Sequence, residues 1–300
     1  MLPLLVADLE AGTAGAASST LQAESRSAAA LLARLAFASP ERVAEQPGVL
    51  PALVAAVAAG GAAAPPDLQA AALRSAEVLG SMISASPELA RRVVEEPGAL
   101  RALVAAVAAG GPAATPTLQG AAEASASALS RRVEASPEFG RRVAEEPGAL
   151  RALVAAVAAG GAGAARPLQV TAEASARALS RLIEASPDFG RRVAEEPGAL
   201  RALVTALAAG GAAATPILRG TAVDCAISLS QITAIGRDLG RRVAEEPGAL
   251  RTLVAAAAVG STSHVYNLQA AATNSAHVLG HITDADSELA RRVADEPGAL

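Results

Sequence analysis

The sequence predicts an all-α solenoid, in which about six three-helix units of 50 residues stack as a single array over residues 1–300. Three observations carry that expectation. Copies of one segment lie over one another without gaps from residue 51 onward: ELARRVVEEPGALRALVAAVAAGG from Glu88, EFGRRVAEEPGALRALVAAVAAGG from Glu138, DFGRRVAEEPGALRALVTALAAGG from Asp188 and DLGRRVAEEPGALRTLVAAAAVG from Asp238. Proline and glycine punctuate every copy at the same places, with breaks near residues 47, 97, 147, 197 and 247. Hydrophobic residues make up 52 % of the chain but aromatics only 1 %, so the apolar content is mostly Ala with Leu and Val. That mixture favours helices that approach closely.

Each unit reads as three helices. Ser136 followed by Pro137 is an N-cap with proline at the first helical position, and the first helix should run to about Glu146, before the Pro147-Gly148 break. A second helix is expected from about Ala149 to Ala159, with Leu150, Leu153, Val154 and Val157 on one face and Gly160-Gly161 ending it in a conformation open to positive φ. Thr115-Pro116 is another cap, opening a third and longest helix to about Ala135, with Leu118, Ala122, Ala126, Leu129 and Val133 on one stripe. No stripe is wide enough to offset the entropy of ordering a lone unit, so neighbours must supply the other wall. With helices packed roughly 8–10 Å apart, six units would form a curved rod on the order of 50–60 Å long. The first copy, SPERVAEQPG, is three residues shorter than SPELARRVVEEPG.

Composition removes several function classes. All 25 basic residues are Arg, so neither a Lys Schiff base nor a phosphate-loop Lys can operate. The net charge of -4 and the lack of a basic run argue against nucleic acid as a partner. The Ala/Gly runs fall short of about 18 consecutive apolar residues, so no membrane is expected. The single Cys225 cannot form an internal disulfide, and MLPLLVADLEAG carries Asp8 and Glu10 without a basic lead-in. The expected compartment is therefore the cytoplasm, with the nucleus as the second choice.

The run SPEFGRRVAEEPGALRALVAAV followed by AEASARALSRLIEASPD resembles the armadillo repeat, six times over and across essentially the whole chain. The resemblance implies a right-handed superhelix and a protein-interaction scaffold that binds an extended partner segment along the concave groove of the third helices. Armadillo units are usually about 42 residues long. Here extra residues fall at the Pro of EPGAL, in the AAGGAAATPT loop and near the start of the third helix, leaving HEAT-like packing as the alternative.

In peptide-binding armadillo proteins an Asn near the end of each third helix holds the partner backbone. The matching positions here are Arg34, Ser81, Arg131, Arg181, Gln231 and His281. One turn earlier, where the nuclear-import members carry Trp, stand Ala30, Glu77, Ser127, Arg177, Ile227 and His277, which argues against recognition of basic import signals. The candidate groove is thus Arg34, Ser81, Arg131, Arg177, Arg181, Gln231, His277 and His281. Its guanidiniums suit an acidic or phosphorylated protein or peptide. Against this, Glu134 and Glu184 follow Arg131 and Arg181 by three residues and would neutralise them in place.

No convergent catalytic set is present, so no enzyme and no cofactor are expected. Cys225 in VDCAISL reads as a buried structural thiol. His264, His277 and His281 all lie in the last unit, and His277, His281 and Asp284 share a helix face that offers a metal-dependent alternative, though no metal is expected. In RRVAEE, Arg141 with Glu145 and Arg142 with Glu146 are expected as i,i+4 ion pairs. The fifth unit loses its Ser-Pro cap, so the turn from Ile235 to Asp238 should exchange amide hydrogens faster than the SPE turns. The chain opens within a second helix and stops at EPGAL, which suggests a segment of a longer array with end-to-end self-association. Transport or regulation of one specific cargo is the competing adaptor role.

Overall fold

A computed structural model describes residues 1–14 and 17–299, with only the backbone of residues 261 and 262. Every regular element among the described residues is an α-helix, and consecutive helices pack on one another. The contacts divide the chain into two compact units, Met1–Ala152 and the residues from Leu153 onward.

In the first unit, α1 (Leu2–Thr13), α4 (Val49–Ala59) and α7 (Ala99–Ala109) form one row. The longer α2 (Ser19–Ala38), α5 (Pro66–Ala85) and α8 (Pro116–Ala135) form a second row packed on it. The short α3 (Pro40–Ala44), α6 (Pro87–Glu95) and α9 (Pro137–Glu145) close the ends of the long helices. α10 spans Ala149–Ala159. In the second unit, α11 (Arg166–Ala185), α14 (Pro216–Ile235) and α17 (Tyr266–Ala285) are the long helices. α13 (Ala199–Ala209) and α16 (Ala249–Thr262) are the second helices, and α12 (Pro187–Glu195), α15 (Arg237–Glu245) and α18 (Ser287–Ala294) the short ones. The long helices pack in chain order, α11 on α14 and α14 on α17.

The caps explain these boundaries. Ser136 Oγ accepts the Phe139 N–H at 3.3 Å, and Thr115 Oγ1 accepts the Leu118 N–H at 3.3 Å. Gly236 stands where the serine should be, and α15 starts without a side-chain cap. Between first and second helices, Glu96-Pro97-Gly98-Ala99 closes a type II turn, with Ala99 N–H donating to Glu96 O at 3.1 Å and Gly98 at φ 81°. The core is a leucine ladder: Leu32, Leu79, Leu129, Leu179 and Leu229 on the long helices and Leu53, Leu103 and Leu203 on the second helices are all at most 1 % exposed. Each contributes about 1.5–3 kcal/mol by leaving water.

The glycine pair after α4, α7, α10 and α13, and the single Gly260 within α16, work differently from the expectation. Neither Gly160 nor Gly161 has a positive φ, and Gly110 sits at φ -83°. The first glycine of each pair is there for closeness. A Cβ on Gly60, Gly110, Gly160, Gly210 or Gly260 would overlap the methyl of Ala72, Ala122, Ala172, Ala222 or Ala272 on the following long helix.

The expected pairing within RRVAEE is also corrected. Arg142 does not bond Glu146 but reaches the unit before it, donating from Nη2 to the backbone carbonyl of Val94 at 2.9 Å. Arg92 does the same to Ala44 O at 2.8 Å, Arg242 to Ala194 O at 2.7 Å and Arg292 to Ala244 O at 3.4 Å. These carbonyls end short helices, where the backbone lacks internal donors and the helix dipole favours a cation. Glu146 instead accepts from Arg101 Nε at 3.4 Å, and Arg141 with Glu145 forms no ion pair among the described residues. A glutamine near the start of most long helices ties down the preceding loop: Gln69, Gln119 and Gln169 donate to Ala64 O, Ala114 O and Ala164 O at 3.0–3.2 Å. Among the described residues, no helix is long and apolar enough to cross a membrane.

Candidate interaction surface on the long helices

The long helices of the first unit turn one face away from the leucine ladder. There α2, α5 and α8 enclose a hollow of about 580 Å³, lined by Phe37, Leu73, Arg74, Glu77, Ser81, Glu123, Ser127 and Arg131 among others. Glu77, Ser81, Ser127 and Arg131 are sequence-predicted positions. Ser81 is half-buried and donates from Oγ to Ala36 O at 3.3 Å, which anchors α5 to α2. Arg131 is exposed, and its Nη1 donates to Ser84 Oγ at 3.1 Å. The Ser84 hydroxyl in turn donates to Gly80 O at 2.9 Å, so a lone pair faces the guanidinium. Arg34 lies exposed on α2, with Ala30 half-buried one turn before it.

Neutralisation by the nearest glutamate does not occur at Arg131. Its hydrogen bond goes to a neutral hydroxyl, and neither Arg131 nor Arg34 forms an ion pair with a carboxylate among the described residues. Arg74, by contrast, is paired with Glu77 at 2.8 Å. Phe37 is 72 % exposed at the edge of the hollow. The ladder pattern does not point to Phe37, Leu73, Arg74 or Glu123. The usable signal for Phe37 is that one of the chain's three phenylalanines falls three residues after Arg34 on an otherwise polar face.

The long helices of the second unit carry the remaining candidates, and there the charges are matched. Arg177 Nη2 donates to Glu173 Oε1 at 3.1 Å, while its Nε lies 3.6 Å from Asp224 Oδ2 on α14. Arg181 pairs with Glu184 at 2.8 Å, as the spacing anticipated. Ile227 is half-buried, and Gln231 holds its Oε1 buried without a protein hydrogen-bond partner. His281 Nδ1 lies 3.0 Å from Thr233 Oγ1. Because that hydroxyl donates to Ser230 O at 3.0 Å, His281 donates to it from Nδ1.

His277 and Asp284 are exposed on the same helix. Among the described residues, no group of three His, Cys, Asp or Glu side chains is placed to hold a metal. Cys225 is fully buried, and burial, followed by the charge of Asp224, pushes its thiol far above the usual range, which removes the thiolate a nucleophile requires.

What the first unit offers chemically is a partly apolar trough lined by Arg74, Glu77, Glu123 and Arg131, with Arg34 exposed on α2 outside that lining; of these arginines, Arg131 and Arg34 form no ion pair with a carboxylate among the described residues. The second offers a row of arginines already satisfied by their own neighbours. Comparison with known protein families finds no family model that matches this chain, and comparison with curated proteins finds none that matches it.

Proposed function

We propose that this chain is a protein-interaction scaffold of the armadillo kind, and that the long-helix face of its first unit receives an extended partner segment bearing carboxylates or phosphate. The observation that carries the reading is Arg131, held in place by a neutral serine with its charge unmatched. A guanidinium so placed can donate bidentately to an incoming oxyanion without first breaking an internal ion pair. The order of short, second and long helix in every unit, and the packing of long helix on long helix, support the armadillo-like reading.

The spacing specifies the ligand. Arg34 and Arg131 stand on α2 and α8, two helix-to-helix steps apart, or roughly 20 Å at the usual packing distance. An extended chain advances about 3.3 Å per residue, so two acidic groups about six residues apart would meet both guanidiniums. A residue between them falls beside Phe37 and Leu73 and should be apolar.

The test is fluorescence anisotropy with a labelled peptide of about ten residues, carrying two Glu about six apart and a Leu between them, against a Lys-for-Glu version. Arg34→Glu with Arg131→Glu should weaken the acidic peptide by at least about tenfold, the worth of a charge-assisted hydrogen bond. Arg181→Glu should leave it within about twofold, because that arginine is already paired. Equal binding of both peptides, or equal effects of the two sets of variants, removes the proposal. A transport or regulatory adaptor for one cargo would use the same face, and only the identity of the segment would distinguish it.

A further inference from the structure

Within the second unit, α13 and α16 pack on one another but leave a gap beside the contact. Between them lies a cavity of about 200 Å³, walled by Leu207, Ala222, Ala256, Val259, Leu268 and Ala271, with Arg251 and Thr252 also on its lining.

It lies where α16 departs from the repeat, at Thr252, at Ala257 in place of Val57, Val107 and Leu207, and at Val259 in place of Ala59, Ala109 and Ala209. At the fourth position of α4, α7 and α13 the residue is alanine, and Ala52, Ala102 and Ala202 are only 1 %, 4 % and 5 % exposed. In α16 that position is Thr252, which is half-buried and carries two more heavy atoms, so it acts as a spacer. One turn on, Ala56 and Ala206 are buried whereas Ala256, like Ala106 of α7, is half-buried. Gly210 and Gly211 border the same space and have no side chains to fill it.

The chemistry of the walls selects a ligand. Apart from Thr252, the lining side chains are aliphatic or absent, and the one charged group is the Arg251 guanidinium. That side chain is 78 % exposed, and its nearest carboxylate, Glu296, is 3.7 Å away. At that distance the two form an ion pair without a hydrogen bond, so the guanidinium's N–H donors stay open to a second acceptor although its charge is partly matched. The equivalent Arg101 does bond its glutamate, at 3.4 Å. An apolar cavity of about 150 Å³ admits benzene, so this one has room for a single ring or a short alkyl chain.

We infer that the cavity between α13 and α16 binds a small amphipathic monocarboxylate, its apolar tail among Leu207, Ala256 and Leu268 and its carboxylate on Arg251. This is independent of the groove on the first unit.

Octanoate is the probe, titrated calorimetrically into the intact chain beside octanol and octylammonium. Octanoate should bind at least about tenfold more tightly than octylammonium, since one meets a guanidinium and the other is repelled by it. Arg251→Gln should weaken octanoate by about tenfold and leave octanol within about twofold. Ala256→Leu fills the space and should abolish binding of both, with helical ellipticity and the melting midpoint at or above those of the parent chain. Because Arg251 is exposed, Arg251→Gln keeps the fold and decides the question even if Ala256→Leu misfolds. The proposal fails if octanoate does not bind, if octylammonium binds equally well, or if Arg251→Gln leaves octanoate unaffected.

Discussion

Two adjacent glycines should respond in opposite directions to the same substitution. A Cβ on Gly110 would overlap the Ala122 methyl and lie 3.4 Å from Leu118 O, whereas a Cβ on Gly111 would meet nothing within 4 Å. Backbone conformation does not separate them, because Gly110 is at φ -83° and Gly111 has no positive φ. Gly110→Ala must therefore push α7 away from α8, and overpacking of this kind costs about 1–3 kcal/mol. Gly111→Ala mainly restricts the unfolded chain and should stabilise by about 0.4–1 kcal/mol. The two variants should differ by roughly 1.4–4 kcal/mol. An array of repeats need not unfold in one step, so a global midpoint would blur the comparison. Amide hydrogen exchange along α7 and α8 reads it locally, with about a tenfold change in protection for each 1.4 kcal/mol. Protection in α8 of the Gly110→Ala variant equal to or above that of Gly111→Ala would refute the close-approach account.

Arg142→Gln removes the bond to Val94 O and should destabilise by about 1 kcal/mol in urea unfolding, while Arg141→Gln stays within about 0.5 kcal/mol. The Asp286 carboxyl is held below its usual range, first by the Glu288 N–H it accepts at 2.9 Å and then by Arg241 at 2.6 Å. Its contribution is therefore present above an unfolded pKa of about 3.9 and lost as pH falls through the lower folded value. Asp286→Asn, which can still cap α18, should give melts that depend less on pH in that acid range. Cys225, fully buried with a raised pKa, should resist a disulfide reagent at pH 8 and react quickly once the chain is unfolded in denaturant.

The helix boundaries were legible because they are written in local chemistry. Ser136-Pro137 and Thr115-Pro116 state where a helix starts, and Pro147-Gly148 states where one stops, without reference to any distant residue. The misreadings share the opposite character. The partner of Arg142 is a carbonyl 48 residues away, and two adjacent glutamates offered a nearer and plausible alternative. The role of Gly110 depends on Ala122 of the next helix, whereas glycine after a helix has a local explanation that happens not to apply. At the candidate surface the sequence put Arg131 and Arg181 on long helices but did not show which of them is paired. Arg131 and Arg181 each precede a glutamate by three residues, yet only Arg181 pairs with it, because Ser84 of the neighbouring helix competes for Arg131.

Six near-copies within one chain also provide an internal control on that surface. The leucine ladder is uniform, although other buried positions vary, such as Met82, Leu182 and Ile232 or Val78, Ala128 and Ser228. Exposure alone does not explain variation elsewhere, because exposed first-helix residues are uniform too: Arg91, Arg141, Arg191, Arg241 and Arg291 are the same residue in five successive units. Drift acting on any solvent-facing site would have scattered those arginines as readily as the long-helix positions. Instead the ladder position of the long helices, exposed at Arg34, Arg131 and Arg181 and half-buried at Ser81, Gln231 and His281, changes at nearly every step. Units that share their frame but differ along one face are what a surface reading an irregular partner segment requires. The argument makes a demand on chimaeras: exchanging the outward residues of α5 and α8 should reorder peptide preference while leaving the melting midpoint in place. If the midpoint moves and the preference does not, the variation belongs to packing.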